Sequence, residues 1–142
     1  MVENTLPKKI LVCEDDECLI QLLQMVLEGS GYAFVGAHDG EAGLESFYAE
    51  RPDVMILDID MPRKDGFQVL QEIRDAGALN GTKVFFLSGK EKKADLERAR
   101  QLGAFAYMIK PFNCEALVEW MGKALDQSSP VKEILKPDPV RF

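Results

Sequence analysis

Short, continuous apolar runs alternate along this chain with longer segments in which apolar residues recur every three or four positions. Apolar runs of four or five residues are typical of strands buried on both faces, and the longer spacing is typical of amphipathic helices. The alternation therefore predicts five βα units around a parallel sheet. The predicted strands are Lys9–Cys13, Ala33–Ala37, Val54–Leu57, Lys83–Leu87 and Ala106–Ile109.

Each predicted strand is followed by a helical pattern. Asp39 and Asn113 stand where N-caps of the second and fifth helices are expected. The fourth helix, over Glu91–Leu102, is highly charged and has a thin apolar stripe, so we expect it to be weakly anchored. The expected packing residues are Leu19, Leu22, Leu23 and Val26; Ala42, Leu44, Phe47 and Tyr48; Phe67, Leu70 and Ile73; Leu96, Ala99 and Leu102; and Leu117, Val118, Met121 and Leu125.

The composition fits one globular domain of 142 residues. With 17 Lys and Arg against 24 Asp and Glu, the net charge is −7, and no basic stripe is visible. We therefore expect no direct binding of nucleic acid. The three cysteines are scattered and there is a single histidine, so neither a disulfide framework nor a zinc site is expected.

The first residues lack the apolar core of a secretory signal, and no later stretch approaches the roughly 20 apolar residues that span a bilayer. We expect a cytoplasmic protein that does not contact membranes. Residues 127–142 include Ser128-Ser129-Pro130 and Pro137-Asp138-Pro139, a composition typical of a tail or linker.

Four of the predicted strands end at groups suited to phosphate or metal chemistry. The first ends at Glu14-Asp15-Asp16, the third at Asp58, the fourth at Ser88 and the fifth at Lys110. The carboxyl ends of parallel strands share one edge of the sheet, where open α/β folds bind ligands. We therefore expect these acids, the hydroxyl and the lysine to converge.

Adjacent ionised carboxylates repel one another, and Mg²⁺ is the cation that prefers such an all-oxygen set. Alternatively, the acids after the first strand only cap the first helix and complement its dipole. Asp58, placed directly after a buried strand, could act as a nucleophile toward a phosphoryl group. A metal bound by Asp15 and Asp58, with Lys110, would neutralise the phosphoryl oxygens, and Ser88 could donate a hydrogen bond to one of them.

From Lys8 to Leu125 the sequence resembles the receiver domain of two-component response regulators. The resemblance implies a doubly wound (βα)5, flavodoxin-like fold, with a parallel five-stranded sheet of order 2-1-3-4-5. It divides the chain into an N-terminal extension (1–7), the receiver domain (8–126) and a tail or linker (127–142). The motifs that carry the resemblance are Ile10-Leu11-Val12-Cys13-Glu14-Asp15, Asp58 with Met61-Pro62 and Asp65-Gly66, Ser88-Gly89, and Tyr107 with Lys110-Pro111.

The resemblance also implies roles for the acidic residues. Asp58 is expected to be the phosphoacceptor and a ligand of Mg²⁺. Asp15 is expected to bind the metal directly, Glu14 through water, and Asp60 through its carbonyl oxygen. Asp16 remains the alternative member of the acidic pair.

Lys110 is expected to bind the phosphoryl group, and the bond from Lys110 to Pro111 is a candidate for the cis form. Ser88 and Tyr107 resemble the family's switch pair, in which the hydroxyl moves toward the phosphoryl group and the aromatic ring turns inward. The expected output surface is formed by the fourth helix, the fifth strand and the fifth helix.

The function implied is a phosphorylation-dependent signalling switch and not a turnover enzyme, because it catalyses only its own phosphorylation and dephosphorylation. Its partners would be a sensor histidine kinase or a histidine phosphotransfer protein, and a downstream effector protein or domain. The oligomeric state stays open, with a phosphorylation-linked dimer as one alternative.

Two alternative functions remain at this stage. A haloacid-dehalogenase-like phosphatase also uses Asp-x-Asp, but after its first strand, whereas Asp58-Ile59-Asp60 follows the third. A phosphorylation-independent interaction module would keep the fold and leave the site unused.

Overall fold

The structure, a computed structural model of the chain, describes residues 6–126 and 140–142. Strands and helices alternate along it as the apolar pattern predicts. No helix within these ranges is both long and apolar enough to cross a bilayer. The elements are β1 Lys9–Cys13, α1 Glu17–Gly29, β2 Ala33–Ala37, α2 Gly40–Glu50, β3 Val54–Asp58, α3 Gly66–Asp75, β4 Lys83–Ser88, α4 Lys93–Gln101, β5 Ala106–Ile109, α5 Cys114–Leu125 and β6 Val140–Arg141.

The sheet has the order β2-β1-β3-β4-β5-β6, and its first five strands are parallel. The predicted order 2-1-3-4-5 is thus confirmed. One apolar cluster joins the sheet to α2, α3 and α4, and a second joins it to α1 and α5. Helices therefore cover both faces, as expected for a doubly wound fold.

The strands are continuously apolar because both of their faces are buried. In β1, Leu11 and Cys13 belong to the cluster beneath α2, α3 and α4, while Ile10 and Val12 belong to the opposite one. All four are fully buried. Successive side chains of a strand point to opposite faces, so a strand covered on both sides needs an apolar residue at every position.

The prediction is wrong for two of the residues expected to pack against the sheet. Leu22 of α1 and Tyr48 of α2 are 42% and 44% exposed. Ile20 and Leu27 are buried in α1, and the prediction for α5 missed Trp120, whose side chain is fully buried. Apolar residues stand on more than one side of these helices, and only docking onto the sheet determines which side is covered.

The caps of the helices follow the sequence closely. The side chains of Asp39 and Asn113 accept hydrogen bonds from backbone N–H groups in the first turn of α2 and α5, so both predicted N-caps are confirmed. Helix α4 has no such bond at its N-cap, Lys92, and Ala99 is its only buried residue. Few buried apolar groups and an uncapped start make α4 a weakly anchored element, as predicted.

The segment assigned to a tail or linker differs from expectation at its end. Residues 140–141 form a strand that pairs antiparallel with β5, while residues 127–139 lie outside the described ranges. An edge strand such as β5 offers unpaired backbone groups to any extended segment that reaches it. Backbone pairing of this kind leaves little trace in composition.

Candidate functional site

The carboxyl ends of β1, β3, β4 and β5 bring the predicted site residues to one edge of the sheet. Asp58 ends β3 and is aligned with Leu87 of β4, and Ser88 is the next residue of that strand. Glu14 and Lys110 directly follow β1 and β5. The site is therefore assembled by the register of four parallel strands.

Three carboxylates form a cluster in which one oxygen from each lies within 4.8 Å of the others: Glu14, Asp15 and Asp58. Glu14 and Asp58 are buried, and Asp15 is exposed. Glu14 Oε2 accepts a hydrogen bond from the Asp16 N–H at 3.0 Å. Glu14 Oε1 accepts none with favourable angles, although Lys110 Nζ lies 2.9 Å away. A buried carboxylate oxygen with spare acceptor capacity, facing two other carboxylates, fits a divalent cation.

The ammonium group of Lys110 stands between the two buried acids. Its Nζ lies 2.9 Å from Glu14 Oε1 and 3.4 Å from Asp58 Oδ2. Desolvation lowers the pKa of Lys110, but the close contact with Glu14 and the charges of Asp58 and Glu14 raise it above its usual value. Lys110 therefore stays charged. The backbone N–H of Lys110 donates to the Ser88 carbonyl at 2.8 Å, and the Lys110–Pro111 peptide bond is cis.

Asp58 has an unusual acidity for an aspartate. Desolvation by burial, followed by the charge of Glu14, raises the pKa of its carboxyl from 3.8 to about 7, although Lys110 and the Asp60 N–H act in the opposite direction. Without a further positive charge, the carboxylate form is thus only partly populated near neutral pH. A divalent cation at the acidic cluster would favour that form, which is also the nucleophilic one.

The remaining acids have other contacts. The Asp16 side chain accepts hydrogen bonds from the N–H groups of Cys18 and Leu19, so it caps α1. The helix-capping interpretation thus applies to Asp16. Glu14 and Asp15 belong to the acidic cluster, and their binding of a metal stays a prediction. The Asp60 N–H donates to Asp58 Oδ1 at 3.2 Å, and the Asp60 side chain is exposed. A role for the Asp60 carbonyl oxygen stays a prediction.

Ser88 and Tyr107 both form hydrogen bonds with the backbone of Lys90. The Lys90 N–H donates to Ser88 Oγ at 3.0 Å, and the Tyr107 hydroxyl donates to the Lys90 carbonyl at 3.1 Å. Ser88 is buried, and Tyr107 is fully buried on the inward side of β5. Burial raises the pKa of the Tyr107 hydroxyl. These two hydrogen bonds of Lys90 could not be predicted from the sequence, because they are made by backbone atoms, whose contacts do not depend on the type of side chain.

A glycine allows α3 to begin close to Asp58. A Cβ on Gly66 would lie 2.6 Å from the Asp58 carbonyl oxygen. The Gly66 N–H donates to the Ile59 carbonyl, and Asp65 and Gln68 form a capping box around the start of the helix. The turn-rich sequence after β3 therefore positions the backbone of the nucleophile candidate.

Residues 10–121 match the family described as the response regulator receiver domain. The transcriptional regulatory protein RprY of Bacteroides fragilis (strain YCH46) is 39% identical over 117 residues, which cover 82% of this chain and 49% of that protein. The alkaline phosphatase synthesis transcriptional regulatory protein PhoP of Bacillus subtilis (strain 168) is 39% identical over 106 residues, which cover 75% of this chain and 43% of that protein. The chain thus spans about half the length of these curated relatives.

Solved structures of similar proteins share the fold. The chemotaxis protein CheY4 of Vibrio cholerae superposes with a TM-score of 0.79 and 27% identity, covering 84% of this chain and 100% of that one. A response regulator receiver domain protein of Methanospirillum hungatei JF-1 superposes with a TM-score of 0.80 and 26% identity, covering 85% of this chain and 95% of that one.

Proposed function

The chain belongs to the response regulator receiver domain family, and from that premise we propose that it is a signalling switch in which Asp58 accepts a phosphoryl group. The donor would be a sensor histidine kinase or a histidine phosphotransfer protein. The observation that carries the proposal is the position of Asp58, a buried carboxylate that shares a cluster with two others and lies 3.4 Å from an ammonium group.

The chemistry follows from this arrangement. A carboxylate oxygen of Asp58 attacks phosphorus and forms an acyl phosphate, while the bond from phosphorus to the donor breaks and the donor leaves with that electron pair. Glu14, Asp15 and Asp58, with the Asp60 carbonyl, would hold Mg²⁺, which supplies charge neutralisation for the phosphoryl oxygens.

Two of the chain's own side chains would bind the phosphoryl group. Lys110 can turn from Glu14 toward a phosphoryl oxygen without leaving the site, because Asp58 is already within 3.4 Å. Ser88 Oγ now accepts a hydrogen bond from the Lys90 N–H, and its hydroxyl group would donate its proton to the phosphoryl group. Since the Tyr107 hydroxyl donates a hydrogen bond to the same Lys90 backbone, a shift of that backbone would change the contacts of both Ser88 and Tyr107.

The proposal extends to partners and setting. A phosphorylated Asp58 would alter the surface formed by α4, β5 and α5, and this surface would act on an effector protein or domain. The receiver domain would comprise residues 8–126, in the cytoplasm. It would catalyse only its own phosphorylation and dephosphorylation.

The direct test is labelling of Asp58 by acetyl phosphate in the presence of MgCl₂, followed by intact-protein mass spectrometry. The wild type should gain one phosphoryl group, and the Asp58→Asn variant should gain none because its amide is not a nucleophile. Asp75→Asn, at an exposed carboxylate at the end of α3, is the matched control and should be labelled like the wild type. Labelling of Asp58→Asn at the wild-type rate would refute the assignment.

The alternative functions give different results in the same experiments. Family membership argues against the haloacid-dehalogenase-like phosphatase, and such an enzyme would release phosphate steadily from small monoesters. A phosphorylation-independent interaction module would bind its partner equally well with and without beryllofluoride, a mimic of the phosphoryl group. A beryllofluoride titration that depends on Mg²⁺ and on Asp58 would exclude that module.

A further inference from the structure

The edge of the sheet beside β5 is covered by a segment of the same chain. Residues Val140–Arg141 form β6 and pair antiparallel with Ala106 and Tyr107 of β5. The next residue, Phe142, continues the contact, because its N–H donates to the Phe105 carbonyl at 3.1 Å. Without this segment β5 would be the edge strand of the sheet.

The side chain of Phe142 strengthens this contact. It is partly buried and packs against the apolar cluster that also contains the fully buried ring of Tyr107. Together with Leu79, Ala104 and Phe105 it lines a cavity of about 330 Å³ near the start of β5. The segment thus contacts β5 through its backbone and the adjoining core through an aromatic ring.

We propose that residues 140–142 are an intramolecular ligand of the β5 edge, and that their docking keeps Tyr107 in its buried position. Pairing with β6 restrains the backbone of Tyr107 from the side opposite β4. The Phe142 ring adds apolar contacts to the same cluster, so loss of the docked segment would loosen the packing on that side.

The coupling is reciprocal. If docking favours the buried position of Tyr107, then any ligand that favours that position must also favour docking. The significance for signalling rests on the proposed function, in which the buried Tyr107 belongs to the phosphorylated state. A partner that adds its own strand to β5 would have to displace residues 140–142 first.

The test measures the accessibility of Tyr107 by nitration with tetranitromethane and peptide mass spectrometry. Phe142→Pro removes the N–H that bonds to Phe105, and Phe142→Ala removes only the ring. Because a single hydrogen bond shifts an equilibrium by about fivefold, Phe142→Pro, which loses that bond and the ring, should show Tyr107 nitrated at least about fivefold faster. Phe142→Ala, which loses only the ring, should show a smaller increase in the same direction. Tyr48, already 44% exposed, is the internal reference for a retained fold.

The matched control is Leu6→Ala, which removes a large apolar side chain that is 80% exposed. It should leave the nitration of Tyr107 unchanged. Equal nitration of Tyr107 in the wild type and both Phe142 variants would overturn the proposal. Faster nitration with unchanged Tyr48 supports it, and this readout does not depend on phosphoryl chemistry.

A second measurement separates this inference from the proposed function. With Mg²⁺ present, beryllofluoride should bind the Phe142→Pro variant about fivefold more weakly than the wild type. If the wild type binds no beryllofluoride, the proposed function fails, and the nitration result still decides whether the segment docks. If affinity is equal while nitration rises, docking is supported and its coupling to the site is overturned.

Discussion

Replacing Asp58 with asparagine is expected to stabilise the metal-free protein against unfolding at pH 8. Burial, followed by the charge of Glu14, raises the pKa of the Asp58 carboxyl to about 7. Ionisation of this group in the folded protein therefore costs free energy that an unfolded chain in water does not lose. The neutral asparagine amide has a similar shape and avoids that cost.

The sign and the size of this stability change follow from the linkage between proton binding at Asp58 and folding. The folded pKa is raised, so the folded state binds the Asp58 proton more tightly, and the associated stability is fully present below the unfolded pKa. It is lost as the pH rises from 3.8 through about 7. Three pKa units correspond to about 4 kcal/mol as an upper limit. Because asparagine also loses the attraction to Lys110, we expect a gain of roughly 2 kcal/mol at pH 8 and roughly half of that or less at pH 5.

The assay is urea unfolding in EDTA at both pH values, followed by circular dichroism. Asp15→Asn is the matched control, because Asp15 belongs to the same cluster but is exposed, and its substitution should change the free energy of unfolding less. Addition of MgCl₂ at ten times its Kd should stabilise the wild type by about 1.4 kcal/mol and Asp58→Asn by less. If Asp58→Asn is no more stable than the wild type at pH 8, the proposed cost of ionising Asp58 is wrong.

Two further substitutions test the ion pair and the tight turn. Lys110→Met keeps most of the length of the side chain but leaves Glu14 and Asp58 without their cation. The metal-free protein should therefore lose roughly 2 to 3 kcal/mol in urea unfolding, opposite in sign to Asp58→Asn. Unchanged stability would contradict the pairing. Gly66→Ala would place a Cβ 2.6 Å from the Asp58 carbonyl oxygen, so it should lower the free energy of unfolding by roughly 1 to 3 kcal/mol and slow labelling by acetyl phosphate. The control Gly122→Ala, in open space on α5, should raise the free energy of unfolding by roughly 0.5 kcal/mol. Equal effects of the two substitutions would show that the turn tolerates a side chain.

The opposite signs expected at Asp58 and Lys110 express one property of the site. It contains two buried carboxylates and one ammonium group, so it carries more negative charge than its own cation neutralises. Removing a negative charge relieves this excess, and removing the positive charge increases it. A site of this kind favours a divalent cation, and in the proposed function its charge balance changes again when the phosphoryl group arrives.

The order of strands and helices was readable from the sequence because each signal is local. A strand buried on both faces must be apolar at every position, and β1 and β3 show this in their buried runs. The caps at Asp39 and Asn113 involve residues within three positions of each other along the chain. The convergence of Glu14, Asp58 and Lys110 could also be anticipated, since parallel strands place their carboxyl ends at one edge.

Other features depend on contacts between residues that are distant in sequence, and only the tertiary structure decided them. The sequence by itself determined the βα alternation and the residues at the strand ends, because hydrophobic period and capping are properties of neighbouring positions. Docking of the helices selected Ile20 and Trp120, and not Leu22, for the core. Burial beside Glu14 set the acidity of Asp58, and an open edge on β5 gave residues 140–142 a place to pair. Desolvation and backbone pairing arise only when distant parts of the chain meet and exclude water between them.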